Sequence, residues 1–117
     1  MAGVSAVKLS QGDIWLAKLS PTVGTEQAGT RPVVVVSGAR YASMPINQAI
    51  VVPVTSRDRR LPHHVPIADG GGLQRPSWAM TEGVRAVSTE RLVHRIGQAE
   101  PDTITTILQY VNEWFQP

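Results

Sequence analysis

The segment Thr30-Arg31-Pro32-Val33-Val34-Val35-Val36-Ser37 constrains this chain more than any other. Four consecutive β-branched residues are stiff at χ1 and favour extended backbone. Successive strand residues point to opposite faces, so an unbroken valine run needs apolar cover on both sides. Such a strand belongs in a barrel wall or a sandwich core. The cover must come from a chain of 117 residues, which has room for one domain over 1–117 and little more.

The rest of the chain offers suitable partners. Residues 12–19 are rich in branched and aromatic types and read as a strand, followed by a Gly- and Pro-bearing connection over 21–32. Gly38 and the stretch 41–47 with Pro45 form the next loop. Residues 49–55 are a further strand, and Pro53, with no N–H to donate, predicts an edge or a bulge there. Val65-Pro66-Ile67 is a short strand. Asp69-Gly70-Gly71-Gly72 has no way to pack and reads as a mobile loop. Residues 77–88 form one long strand, or two joined by a kink near Gly83, and Thr89 to Leu92 a helical turn. Ile104, Ile107, Leu108, Val111, Trp114 and Phe115 follow helical spacing, with Pro101 tolerated in the first turn and Asp102 at the positive end of the dipole. The expected class is mainly β with a C-terminal α-helix over about 101–115, as a small barrel or compact sheet carrying a docked helix. Trp15, Trp78 and Trp114 are expected in the core.

Composition removes several functions. There are no cysteines, so disulfide scaffolds, iron–sulfur clusters and thiolate zinc sites are excluded. With 42% apolar and 17% charged residues the chain is not a disordered charged tail. It has no GxxxxGK[ST] phosphate loop, no apolar run long enough to span a membrane and no secretory start, so a cytoplasmic location is expected. The formal charge is only +2, but of 11 basic residues just Lys8 and Lys18 are lysines, leaving nine arginines. Arginine suits bidentate contact with phosphate or carboxylate, although GC-rich coding raises it equally well.

Three polar groups stand on this apolar frame. Gly24 to Pro32 carries Glu26, Gln27 and Arg31 directly before the valine strand, where a rigid element anchors side chains at a rim. From composition alone, a solvated loop with a local Glu–Arg pair is the plainer reading. Thr55-Ser56-Arg57-Asp58-Arg59-Arg60 ends a strand with hydroxyls and arginines, which can donate to phosphate oxygens or line a solvated turn. His63-His64 would point to opposite faces on a strand and could share a metal only from a loop, with His94, Asp or Glu as the third ligand at no recognisable spacing. No metal and no cofactor are expected, and solvation or a nucleic-acid contact is the plainer role for the pair.

Together, Gly12-Asp13-Ile14-Trp15, the Gly-x-Glu-Gln-x-Gly-x-Arg-Pro string at 24–32, Pro53-x-Thr55-Ser56, and Thr81 to Leu92 with Arg85 and Arg91-Leu92 resemble the MazF/PemK family of toxin endoribonucleases over about residues 10–97. The resemblance implies an SH3-like β-barrel of the MazF/PemK/CcdB type, a homodimer, metal-independent cleavage of single-stranded RNA at short sequences, and inhibition by a small antitoxin. It makes Arg31 and Thr55 the catalytic pair of the MazF branch. The PemK branch has an arginine two residues before the acid at Glu82; that position is Met80 here. Many members carry Gln after the acid, and here it is Gly83, so the cut sequence is not transferable. Glu26 and Glu82 are candidate bases, with His63 or His64 serving if the loop folds over. Gln27, Ser56, Arg57, Arg59, Arg60, His63, His64 and Arg85 are candidate RNA contacts. The competing readings are a gyrase-binding toxin of the same fold and a degenerate member that only binds RNA or antitoxin.

Overall fold

The computed structural model describes residues 8–19 and 29–117. Among the described residues, seven strands and two helices follow in order: β1 Asp13–Lys18, β2 Thr30–Val35, α1 Ala39–Ala42, β3 Gln48–Thr55, β4 His64–Pro66, β5 Trp78–Met80, β6 Arg85–Ser88, β7 Leu92–Gln98 and α2 Pro101–Glu113. All strand pairs are antiparallel, in the order β4-β5-β3-β2-β1-β7 with β6 also on β3. The class is mainly β with a C-terminal helix, and the sheet stays open between β4 and β7.

The valine run lies in the middle, as its composition demands. Val33, Val34 and Val35 are fully or almost fully buried, between β1 and β3. Val34 faces one core with Ile14, Val52, Val54, Ile104 and Ile107, which docks α2. Val33 and Val35 face a second core with Ala17, Leu19, Ala49, Val51 and Val87. Two-sided cover is thus supplied by the helix on one face and by the bent sheet on the other.

Pro53 lies neither on an edge strand nor at a bulge. Ile50 directs its carbonyl to Val36 N–H at 2.9 Å and its N–H to Ser37 Oγ at 3.0 Å, toward the β2 side. By strand alternation Pro53 turns its nitrogen to the other side. On that side β6 pairs as far as Val51 and β5 takes over at Val54. The proline therefore occupies a gap in the ladder, where no donor is needed. The 3₁₀ turn Thr81–Gly83 links the two strands there, resolving residues 77–88 into two strands joined at Gly83.

The segment 69–72 is not a loop without packing. It lies in a 3₁₀ turn, Ala68–Gly72, against β7. Gly71 has φ +52° and Gly72 φ +90°. A Cβ on Gly72 would stand 2.6 Å from the Ile96 carbonyl oxygen, so the missing side chains are what allow backbone to pack on backbone.

Strand β7 and helix α1 were not foreseen. Val93, His94 and Arg95 are exposed, because β7 is an edge strand with register shifts against β1, so its side chains show no clean alternation. The expected apolar face of α2 holds at Ile104 and Ile107 and fails at its end. Trp114 and Phe115 lie beyond the helix and are 44% and 74% exposed. Trp114 is therefore no core residue, as the last turn reaches the rim of the sheet. Among the described residues no helix is long and apolar enough to cross a membrane.

Candidate active site

Arg31 is the second residue of β2, paired with Ala17 of β1. The rigid strand holds its backbone, and its guanidinium Nη1 donates to the Val54 carbonyl at 3.4 Å. Its Nε–H is buried with no partner among the described residues. Burial, and secondly the positive charge of Arg59, hold its pKa below the ordinary arginine value.

Thr55 is the last residue of β3 and only 8% exposed. Its Oγ1 accepts the Arg57 N–H at 3.1 Å, which turns the chain out of the strand. One lone pair is thereby used, and the hydroxyl hydrogen stays free to donate. Beyond the turn Ser56, Arg57, Asp58, Arg59 and Arg60 are all exposed. Asp58 Oδ1 accepts the Arg60 N–H at 2.9 Å, and Arg60 is held at φ +57°. The basic segment is a structured turn, with its arginine heads in solvent.

Arg31 and Thr55 share a cleft of about 380 Å³. One wall is Arg31, Pro32, Val54, Thr55 and Ser56; the other is Leu73, Gln74, Arg75 and Ser77. The second wall was not anticipated. It arrives through the pairing of Thr55 with Trp78, which carries residues 73–77 to the mouth of β3. Ser77 Oγ donates to the Arg75 carbonyl at 2.9 Å and fixes that turn. No periodicity marks a three-residue strand such as β5, so the sequence offers little to find these residues by.

The remaining candidates are dispersed. Glu26 and Gln27 lie outside the described residues. Arg85 opens β6 opposite Val51, four residues along β3 from Thr55, or roughly 13 Å by strand rise. Glu82, His63 and His64 gather in a cluster of their own. His64 Nε2 lies 3.0 Å from both Glu82 oxygens, and His63 Nε2 lies 3.3 Å from Oε1. His63 precedes β4 and so escapes strand alternation, which is why both rings reach one carboxylate. None of the three lines the cleft.

A cleft with one partly buried guanidinium, a poised hydroxyl and a rim of arginines can bind a phosphodiester and stabilise added negative charge on it. Comparison with known proteins gives the family. Residues 10–115 match the family described as PemK-like, MazF-like toxin of type II toxin-antitoxin system. The chain is 33% identical over 103 residues to Endoribonuclease EndoA of Bacillus subtilis (strain 168), covering 85% of this chain and 87% of that protein. The fold superposes on MazF from Deinococcus radiodurans with a TM-score of 0.80 at 24% identity, covering 92% of this chain and 96% of that one. It also matches a MazE-MazF crystal structure from that organism, with a TM-score of 0.73 at 22% identity over 91% and 94% of the two chains.

Proposed function

This chain belongs to the PemK-like, MazF-like toxin family of type II toxin-antitoxin systems, and from that premise we propose that it is an endoribonuclease cutting single-stranded RNA without a metal. The observation that carries the reading is the shared cleft of Arg31 and Thr55. The RNA supplies its own nucleophile. The 2′-oxygen forms a bond to the adjacent phosphorus, its proton passes to a base, and the phosphorus–O5′ bond breaks as O5′ takes up a proton. The products are a 2′,3′-cyclic phosphate and a 5′-hydroxyl.

Arg31 stabilises the charge that builds on phosphorus, since a guanidinium keeps its charge and donates in a fork. Its lowered pKa also makes it a better proton donor to O5′ than a solvated arginine. Thr55 donates its free hydroxyl hydrogen to a phosphate oxygen, while the Arg57 N–H holds Oγ1 in place. Gln74 and Arg75, across the cleft, lie where they can meet the nucleotides flanking the cut. Arg57, Arg59 and Arg60 lead away from Thr55 and follow the RNA backbone. The same exposed arginines offer a docking surface to an acidic segment of a small antitoxin, in line with the MazE-MazF complex of similar fold. The working form is a cytoplasmic homodimer.

Purified protein is incubated with a long single-stranded RNA in EDTA, and the ends are mapped. Cyclic-phosphate ends are expected, with Arg31→Ala slowing cleavage by about 10²-fold or more. If folded protein cuts no RNA, the enzymatic reading is lost in favour of a binding toxin. Cleavage abolished by EDTA overturns the metal-free chemistry.

A further inference from the structure

His63, His64 and Glu82 make up a donor set that the cleft does not use. Their ligand atoms lie within 4.8 Å of one another. A tetrahedral ion with bonds of about 2.0–2.1 Å holds its ligand atoms roughly 3.3 Å apart. The His–Glu separations of 3.0 and 3.3 Å already match that spacing.

The rings are also held in place. His64 is 5% exposed. His63 meets His64 edge-on at 4.9 Å and Trp114 at 5.4 Å. Fully buried Thr81 donates its hydroxyl to the His63 carbonyl at 2.8 Å and accepts the Trp114 indole N–H at 3.2 Å. Half-exposed Glu82 leaves solvent access for a water ligand.

We propose that His63, His64 and Glu82 bind one divalent ion of the zinc type per chain, with water completing the coordination. Two imidazole nitrogens and one carboxylate suit Zn²⁺, Co²⁺ or Ni²⁺ and disfavour Mg²⁺ and Ca²⁺. The ion tethers the end of α2 to the β4–β5 edge through the contact of His63 with Trp114. Coordination by His64 Nε2 puts the ring proton on Nδ1, which has no partner among the described residues. Missing support of that kind costs about 10- to 100-fold in affinity, so the site is weaker than a closed four-ligand structural site.

The test uses untagged, metal-stripped full chain titrated with Zn²⁺ by calorimetry and with Co²⁺ by visible absorption. One equivalent should bind and raise the thermal midpoint, with no response to Mg²⁺. Glu82→Gln and His63→Gln change side chains that reach solvent, and their metal-free midpoints verify folding. Both should lose binding, while Arg31→Ala should keep it and so separate this site from the cleavage reading. Absence of saturable Zn²⁺ or Co²⁺ binding by the unaltered chain overturns the proposal. Loss in only one of the two variants, or in neither, overturns the three-ligand assignment. Ion binding should also change tryptophan fluorescence, and persistence of that change in Trp114→Phe would refute the tether.

Discussion

At Arg31, the proposed function and stability pull apart. Its guanidinium is partly desolvated, feels the positive charge of Arg59, and leaves Nε–H without a partner among the described residues, against one long hydrogen bond to Val54. Near neutral pH the group is charged in folded and unfolded chains, so the cost is present in full. It is relieved only as pH rises through the lowered folded value toward the unfolded one, where the unfolded chain binds more protons and stability increases with pH. Arg31→Met is therefore expected to abolish cleavage while leaving the free energy of unfolding, measured by urea denaturation, unchanged or up to about 1 kcal/mol higher. A clear fall in stability would show that the arginine is a structural support. Removing the second cause should also be visible: in Arg59→Ser the Arg31 pKa, followed by ¹³Cζ chemical shift, moves upward. Arg31 and Thr55 could be singled out in the sequence because Arg31 opens one strand and Thr55 closes another, each within a recognisable motif. Gln74 and Arg75 could not, because only the Thr55–Trp78 register brings them across.

Among the elements, the ones that read correctly are those whose burial is regular. Both faces of β2 are filled, and α2 buries Ile104 and Ile107 at helical spacing, so the local sequence pattern placed them. Those that misread are governed by the neighbour. Pro53 looked like an edge signal, but the edge is internal, a gap between β6 and β5. Gly71 and Gly72 looked idle, yet their lack of side chains is what seats the 3₁₀ turn on β7. Gly83, where the sequence places a kink, is tightly seated as well: an added Cβ would lie 3.0 Å from both Cγ and Cδ of Pro53, a rigid ring that cannot swing aside. Gly83→Gln is thus expected to destabilise the fold by about 1–3 kcal/mol in chemical denaturation, as overpacking does. Ile107→Ala, at 0% exposure between helix and sheet, should cost about 2–5 kcal/mol. Should Gly83→Gln prove neutral, the tight fit of turn against proline is refuted.

For the molecule as a whole, the formal charge of +2 says almost nothing, whereas the placement of arginine says a good deal. Arg31 and Arg75 line the cleft, and Arg57, Arg59 and Arg60 project from the turn that follows Thr55. Arg95, by contrast, is engaged with buried Asp13 at 3.3 Å and serves the fold. Arg40 sits on α1, beside the Gln48 end of β3, about 23 Å from Thr55 by strand rise. The coding bias that would favour arginine over lysine acts equally on all of these, so a functional gradient among them separates selection for RNA from composition. For single-stranded RNA each phosphate contact contributes about 0.7 to the slope of log affinity against log salt. Neutralising Arg57, Arg59 and Arg60 together should lower that slope by about 2 and weaken binding of RNA and of an acidic antitoxin segment in parallel. Arg40→Gln should leave the slope unchanged. Binding to uncut deoxy-substituted RNA, followed by fluorescence anisotropy from low to high salt, measures both. Equal slopes in the triple variant and the unaltered chain would place the RNA path elsewhere. An equal fall in Arg40→Gln would mean that the response follows net charge and not the rim of the cleft.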